Sequence, residues 1–553
     1  NTKTNINMGT TLLLGALAVV ASEGVRTRKP SVVYVVTDDE DQMLGGSFPK
    51  TTEATPLPKA EKLLVEKGMT FTNMFIHVPI CNPSRSTTLT GRYFHNLKKV
   101  GAQTGAMHVN MSKVHNSTFA RDLQDAGYAT GLFGKYANAM PAYVPLGWDA
   151  WLANNGGAYM HPTFTNREAD EVTFEDQYAT AVVGNESVKW IRAQKERPYF
   201  AYVAPKAAHE PFNPAPWYVD SWSPEWPSEE PRPERCWNAT SEERADHGSN
   251  IPSQPTITDK GAHVVTGVFR NRWRTLMSVD DLIEALAAEV DFAHTYFFFT
   301  SDHGFQLGEF NMLMDKRHVY DWNTRVHLVV RGPGIAPHSQ SSRVVTNVDL
   351  APTFLQLAGS FPRHDFDGRD HNYDGRDHDF DGRSLVPLLL SEPEAHSRAV
   401  FPTRGETWQT AFIEYYFVDQ NVKCVDDCTD PLDDYPNADA NCVDLTTTPN
   451  QGCWGGKGCD ADCYATEDSR NNFIGLRLIN DTSSLLYVKY QRGNQNDEDV
   501  DFQTPDFIEL FDASADPWMR TNLYNSTSSS VLASLDSTLM AYFDCQGAHQ
   551  CPD

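Results

Sequence analysis

The chain has 553 residues, and 73 acidic against 46 basic side chains give it a net charge of −27 at neutral pH. That balance excludes nucleic acid and anionic membrane surfaces as electrostatic partners, and a composition with 40% hydrophobic and 22% charged residues excludes a disordered chain. The length suits one large domain with a smaller companion, and any anionic substrate needs a locally cationic pocket.

In chain order, residues 1–22 read as a secretory signal, with Met8 as the start, an apolar run from Leu12 to Ala21 and a small-residue cleavage site before Ser22. That run is shorter than the ~20 apolar residues that span a bilayer, so no membrane span is expected. Ser31 to Thr37 is apolar and β-branched, as a buried parallel strand requires, and it ends on Asp38-Asp39. Leu57 to Lys67 reads as a helix, with Leu57, Ala60, Leu63 and Leu64 on one face and Gly68 as its C-cap.

Cys81-Asn82-Pro83-Ser84-Arg85 then opens a stretch that closes on Thr90-Gly91-Arg92. A helix is expected to begin near Ser84, offering unpaired N–H groups and partial positive charge to an anion. A lone cysteine is most often a buried structural residue. That reading leaves the proline, serine and arginine beside it unexplained.

Three later runs repeat the arrangement of the first strand. Tyr128 to Phe133 leads into Gly134-Lys135-Tyr136, Tyr199 to Ala204 into Pro205-Lys206-Ala207-Ala208-His209, and Tyr296 to Thr300 into Ser301-Asp302-His303-Gly304. One such charge is usually a solvated loop residue. Four strands that each deliver a carboxylate, lysine or histidine at the carboxyl end describe a site, because open α/β sheets bind ligands there. Thr275 to Ala288 is an amphipathic packing helix, and Asp315-Lys316-Arg317 precedes another apolar run, Val326 to Val330.

Residues 364–383 repeat His-Asp-Phe-Asp-Gly-Arg-Asp, His-Asn-Tyr-Asp-Gly-Arg-Asp and His-Asp-Phe-Asp-Gly-Arg. Arg363 occupies the first position of an EF-hand loop and no Glu closes it, so a slipped duplication in a surface loop is expected rather than a calcium site. After Ser391, short strands at Phe412 to Val418, Leu485 to Tyr490 and Asp506 to Phe511 suggest a smaller antiparallel domain around a Cys-rich insert. Six cysteines fall between Cys424 and Cys463, Cys545 and Cys551 form an expected local pair, and Cys236 is left over. In a secreted chain these spacings favour disulfides over zinc. Sequons at Asn110, Asn116, Asn185, Asn238, Asn480 and Asn525 fit that route.

The Cys81 to Arg92 segment resembles the C-x-P-S-R and T-G-R signature of the type I sulfatases, in which the cysteine is oxidised to formylglycine. Gly134-Lys135-Tyr136, Val144 to Trp148, Arg272-Trp273-Arg274, Ser278 to Leu282 and Asp315-Lys316-Arg317 are similar to the N-acetylglucosamine-6-sulfatase branch. The resemblance implies an α/β fold of the alkaline-phosphatase and sulfatase kind. A large mixed, mostly parallel sheet flanked by helices would occupy residues 30–391, with a smaller antiparallel α+β domain over 392–553. It implies one Ca2+ held by Asp38, Asp39, Asp302, His303 and formylglycine at position 81. Arg85, Lys135 and Lys316 would surround the sulfate, and His209 would act near the leaving oxygen as a general acid together with Lys316.

The chemistry explains the modified residue. One hydroxyl of a hydrated aldehyde attacks sulfur and the other later expels sulfate, an exit that a thiol lacks. The implied partners are a sulfated glycan and a formylglycine-generating enzyme, and the implied destination is a lysosome, a vacuole or the medium. His303 stands where this branch has Asn, and Ala137 where many sulfatases have His. Other sulfatase substrates, a phosphoester or phosphonate hydrolase, and an inactive glycan-binding protein remain as rival readings.

Overall fold

The computed structural model describes residues 28–552 apart from 45–46, 51–53, 99–108, 139, 222–235, 361–379, 392–406, 418–466, 494–499 and 548–549. The signal region, most of the heptad repeat, the six clustered cysteines and the start of the expected second domain lie outside the described residues.

The first sheet is built from β1 (Ser31–Thr37), β2 (Met69–Phe75), β3 (Ala129–Lys135), β4 (Ala150–Asn154), β5 (Thr163–Thr165), β6 (Glu171–Thr173), β7 (Tyr199–Ala204), β8 (Thr295–Ser301), β9 (Arg325–Arg331) and β10 (Ser339–Thr346). These ten strands lie in the order β10-β2-β9-β8-β1-β7-β3-β4-β5-β6. The run from β8 to β4 is parallel throughout, while β9 lies antiparallel between β2 and β8. The apolar runs expected to be strands are thus neighbours, β8-β1-β7-β3, and their carboxyl ends meet.

The main helices are α1 (Cys81–Thr90), α2 (Ala179–Gln194), α3 (Asp259–Glu289), α4 (Leu350–Ala358) and α5 (Ser529–Phe543). Both faces of the sheet are covered. Val32, Tyr34 and Val36 of β1 pack in one cluster with Leu89 of α1 and Phe354 of α4, while Val33 and Val35 pack in another with Val279, Leu282 and Ile283 of α3. That alternation is the period of a strand buried on both sides. Each such side chain contributes about 1.5–3 kcal/mol on burial.

Three helix boundaries differ from expectation. The segment after Leu57 is an α-turn at Pro58–Ala60 followed by a π-turn at Glu61–Val65. The amphipathic stretch is the second half of a 31-residue helix. Helix α1 begins at Cys81 itself, because its N-cap is Ile80 in extended backbone with no side-chain cap. Its end is marked by Gly91, whose φ of 65° and close approach to Phe380 (2.6 Å from a would-be Cβ) admit no side chain. Every residue of α1 is buried, so its polar groups must be bonded internally. Ser86, Thr87 and Thr90 donate to carbonyls within the helix, and Asn347 Nδ2 donates to Ser84 O and Thr87 Oγ1.

A second, antiparallel sheet contains β11 (Thr410–Tyr415), β12 (Asn472–Ile479), β13 (Ser484–Gln491) and β14 (Phe507–Asp512), in that order. Its apolar side shares one cluster with the approach to α1, so Val78 and Ile80 pack with Phe412, Ile474 and Tyr542. Polar contacts cross the same seam. Arg477 reaches Asp321 through two bonds of 2.9 and 3.0 Å, and Glu414 Oε1 lies 2.8 Å from His77 Nε2. Cys545 and Cys551 are disulfide-bonded, and Cys236 is a buried free thiol, both as expected.

The described end of the last heptad copy, residues 380–383, is bonded into the structure. Buried Asp381 accepts bonds from Tyr93 N (2.7 Å), Asn96 Nδ2 (2.8 Å) and Gly547 N (2.6 Å), tying the exit of α1 to the disulfide loop. Deleting residues 364–377 leaves that copy in place, and loop-closure entropy changes slowly with length. The deletion is therefore expected to move Tm by only a degree or two. Asp381→Ala, which takes the acceptor from one buried and two half-buried donors, is expected to cost about 2 kcal/mol and several degrees. Thermal unfolding of both variants checks this, and a larger loss for the deletion would refute it.

Candidate active site

The chain turns sharply after β1, with Asp39 in the left-handed region at φ 59°. Asp38 N donates to Ala207 O (2.9 Å) and Asp39 N to Asp302 Oδ1 (3.3 Å), which joins the turns that follow β1, β7 and β8. Asp38, Asp39, Cys81 and His303 each bring one donor atom within 4.8 Å of the others, and all four are buried. Cys81 is 2% exposed. Its Sγ lies 3.5 Å from Asp38 Oδ1 and 3.3 Å from His303 Nε2. His303 Nδ1 donates to Gly304 O (2.9 Å), which turns Nε2 toward the cluster.

Three cations answer the carboxylates. Lys135 Nζ pairs with Asp38, Lys316 Nζ lies 2.9 Å from Asp39 Oδ1, and Arg85 Nε donates to Asp302 Oδ2 at 2.8 Å. Arg85 Nη1 also donates to Lys135 O (2.8 Å), so one guanidinium holds the ends of β3 and β8 together. Burial raises the cost of ionising both aspartates. Lys135 nevertheless holds Asp38 well below the carboxylate range, and Lys316 holds Asp39 below it. Burial works against a charge on His303 too, but Asp302 and the Cys81 sulfur raise it to about 9. A bound cation would displace that proton.

The catalytic and metal-site candidates from the sequence, Asp38, Asp39, Cys81, Arg85, Lys135, His209, Asp302, His303 and Lys316, all lie in or beside this cluster. Two stand differently from expectation. Asp302 is not among the four converging donors; its Oδ2 accepts from Arg85 Nε and its Oδ1 from Asp39 N. His209 was expected to carry a proton, yet burial, Lys316 and Lys135 push it down to about 3. Its Nδ1 donates to Glu210 O (3.0 Å), so Nε2, 4.0 Å from Asp39 Oδ2, faces the site as an acceptor. Arg272 braces the turn from behind, donating to Asp39 O and, at 2.8 Å, to Asp41 Oδ1. Part of its role is through a main-chain oxygen, so the resemblance of Arg272-Trp273-Arg274 drew the eye to the residue but not to its place behind the site.

A family model described as Sulfatase matches residues 30–360. The chain belongs to the sulfatase family. A second family model, described as N-sulphoglucosamine sulphohydrolase, C-terminal, matches residues 308–431. N-acetylglucosamine-6-sulfatase of Homo sapiens is 30% identical, over 97% of this chain and 88% of that protein. A solved structure described as a complex with its substrate D-glucosamine-2-N,6-O-disulfate has a TM-score of 0.60 at 20% identity, covering 93% of this chain and 96% of the other. Phosphonate monoester hydrolase of Agrobacterium radiobacter has a TM-score of 0.58 at 18% identity, covering 93% and 97%. These two structures speak for the fold alone.

The donor set fits the divalent cation used in this family. Two buried aspartates held ionised, with an imidazole and position 81 beside them, form an oxygen-rich nest for a hard ion. No helix among the described residues is long and apolar enough to cross a membrane.

Proposed function

We propose that this chain removes 6-O-sulfate from N-acetylglucosamine units of sulfated glycans, using formylglycine made from Cys81. The observation that carries the reading is the meeting of Cys81 with Asp38, Asp39 and His303 within 4.8 Å, beside Lys135, Lys316 and Arg85. The choice of sugar is supported by the likeness to the human N-acetylglucosamine-6-sulfatase over 97% of the chain.

Formylglycine at position 81 supplies paired hydroxyls, one as nucleophile and one to release the product. Ca2+ held by Asp38, Asp39, His303 and position 81, with Asp302 alongside, supplies Lewis acidity toward a sulfate oxygen. The chain's own residues do the rest. Lys135 and Lys316 bind the outer sulfate oxygens, and Arg85 keeps the end of β3 in register beneath them. Burial disfavours the Lys316 charge, and Asp39 overrides it, holding Lys316 well above its ordinary pKa. Lys316 is thus kept protonated beside the site, placed to donate that proton to the leaving oxygen. Neutral His209 accepts a hydrogen bond through Nε2, which suits a sugar hydroxyl. Proton donation thus falls to Lys316, and His209 gives no reason for an acidic optimum.

A secretory route with a formylglycine-generating enzyme on it is part of the proposal. Asn110, Asn116, Asn185, Asn238 and Asn525 are exposed, as glycosylation there requires, and Asn480 is half-buried. The test is initial rates on N-acetylglucosamine-6-sulfate, galactose-6-sulfate, phenyl sulfate and phenyl phosphate. The first is expected to be the best sugar. A tenfold preference for galactose-6-sulfate would overturn the sugar, and faster cleavage of phenyl phosphate than phenyl sulfate would overturn the ester.

A further inference from the structure

Lys206 lies on the loop between β7 and His209 and has no part in the chemistry described above. Its Nζ donates to Gly157 O at 2.5 Å and sits 5.0 Å from the centroid of the Tyr159 ring. The neighbouring Gly156 lies against the other lysine of this region, since a Cβ there would come within 4.0 Å of Lys135 Nζ. The Gly156-Gly157 turn therefore separates two ammonium groups, one inside the site and one at its rim. The seat is rigid. Tyr159 Oη donates to His209 O (2.7 Å), and the Tyr159 ring stacks on Tyr178 with centroids 5.5 Å apart.

The charge accounting sets Lys206 apart. Arg85, Lys135 and Lys316 each have a carboxylate within 4 Å, and Lys206 has none among the described residues. Burial and the field of Lys135 push it down to about 8, against weaker attraction from Glu210, Asp38 and Asp39. An ammonium has three donors, and the Gly157 carbonyl uses one. A half-buried, unneutralised cation held in one position is stabilised by an incoming anion more than a solvated one would be.

We propose that Lys206 binds a second anionic group of the substrate, a sulfate or carboxylate carried beside the sulfate that is removed. This rests on the sulfatase reading of the site and deepens it. Scission needs one anionic group, and Lys206 would make the enzyme favour substrates that carry two.

The experiment compares wild type, Lys206→Met and Lys206→Arg by kcat/KM on matched pairs. One pair is phenyl sulfate and 3-carboxyphenyl sulfate. The other is N-acetylglucosamine-6-sulfate and glucosamine-2-N,6-O-disulfate, and a 6-sulfated disaccharide with a neighbouring uronate separates a carboxylate source from an N-sulfate source. Methionine keeps the stem against Tyr159, so the fold is retained. In Lys206→Met the preference for the doubly charged member is expected to fall about tenfold, mainly through KM, and Lys206→Arg is expected to restore most of it. An unchanged ratio in every pair would overturn the proposal, as would an equal loss on both members. If the aryl ratio falls while wild type cleaves neither sugar, the subsite stands and the amino-sugar reading falls.

Discussion

Cys81→Ala is expected to lower kcat by on the order of 10⁴-fold or more while the protein folds normally. The substitution removes the proposed precursor of the nucleophile and little else. Cys81 is 2% exposed, makes no disulfide and contributes only Sγ contacts of 3.3 and 3.5 Å to His303 and Asp38. Helix α1 keeps its backbone bonds, and alanine suits a helix's first turn. Far-ultraviolet circular dichroism and Tm should therefore hardly move. Peptide mass mapping of active wild-type protein is the companion measurement, and sulfur replaced by oxygen at position 81 is the expected result. An active protein with an intact thiol there would sink the mechanism.

Asp39→Asn is expected to cost a hundredfold or more in rate, and chelation of the wild type is expected to abolish activity until calcium is restored. The size of the effect follows from how many partners Asp39 serves. Its carboxylate lies 2.9 and 3.0 Å from Lys316 Nζ and 3.3 Å from His303 Nδ1, and it is one of the four converging donors. Asparagine keeps the shape and loses the charge, so Lys316 is left buried without its counter-ion and the cation loses a ligand. Because Lys316 holds Asp39 below the carboxylate range despite burial, the group stays ionised under mildly acidic conditions. Loss of rate at moderately low pH is then not due to Asp39. Full activity after exhaustive chelation, with no bound metal by elemental analysis, would remove the cation from the account.

Much of this was legible in the residues. Ser31–Thr37, Tyr199–Ala204 and the runs ending at Lys135 and Ser301 announce themselves as strands by unbroken apolar, β-branched or aromatic composition, and their flanking charges meet because the strands are parallel neighbours. What could not be read were facts of burial and partnership. Ile80 as N-cap carries no capping side chain, so the start of α1 has no local signal. The neutrality of His209 depends on its burial and on two lysines far away in sequence. Asp302 looks like a ligand in its motif, and its bond to Arg85 is a partnership that the motif does not show. Asp381 looks like one of several equivalent repeat residues, and nothing in its motif marks the bonds that it accepts from Tyr93 and Gly547.

If position 81 carries formylglycine as proposed, the complete burial of α1 also sets an order of events in the life of the protein. Once the chain has folded, the thiol of Cys81 lies under the ends of β1 and β8, beneath two lysines and an arginine, and no modifying enzyme can reach it. On the proposed mechanism, conversion would therefore have to happen while the segment is still extended, during synthesis or translocation. Protein made by a host that lacks this step would be correctly folded, stable and permanently inert. Adding the converting enzyme afterwards would not rescue it unless the chain were first unfolded. The specific activity of any preparation then records how far conversion kept pace with folding in the cell that made it.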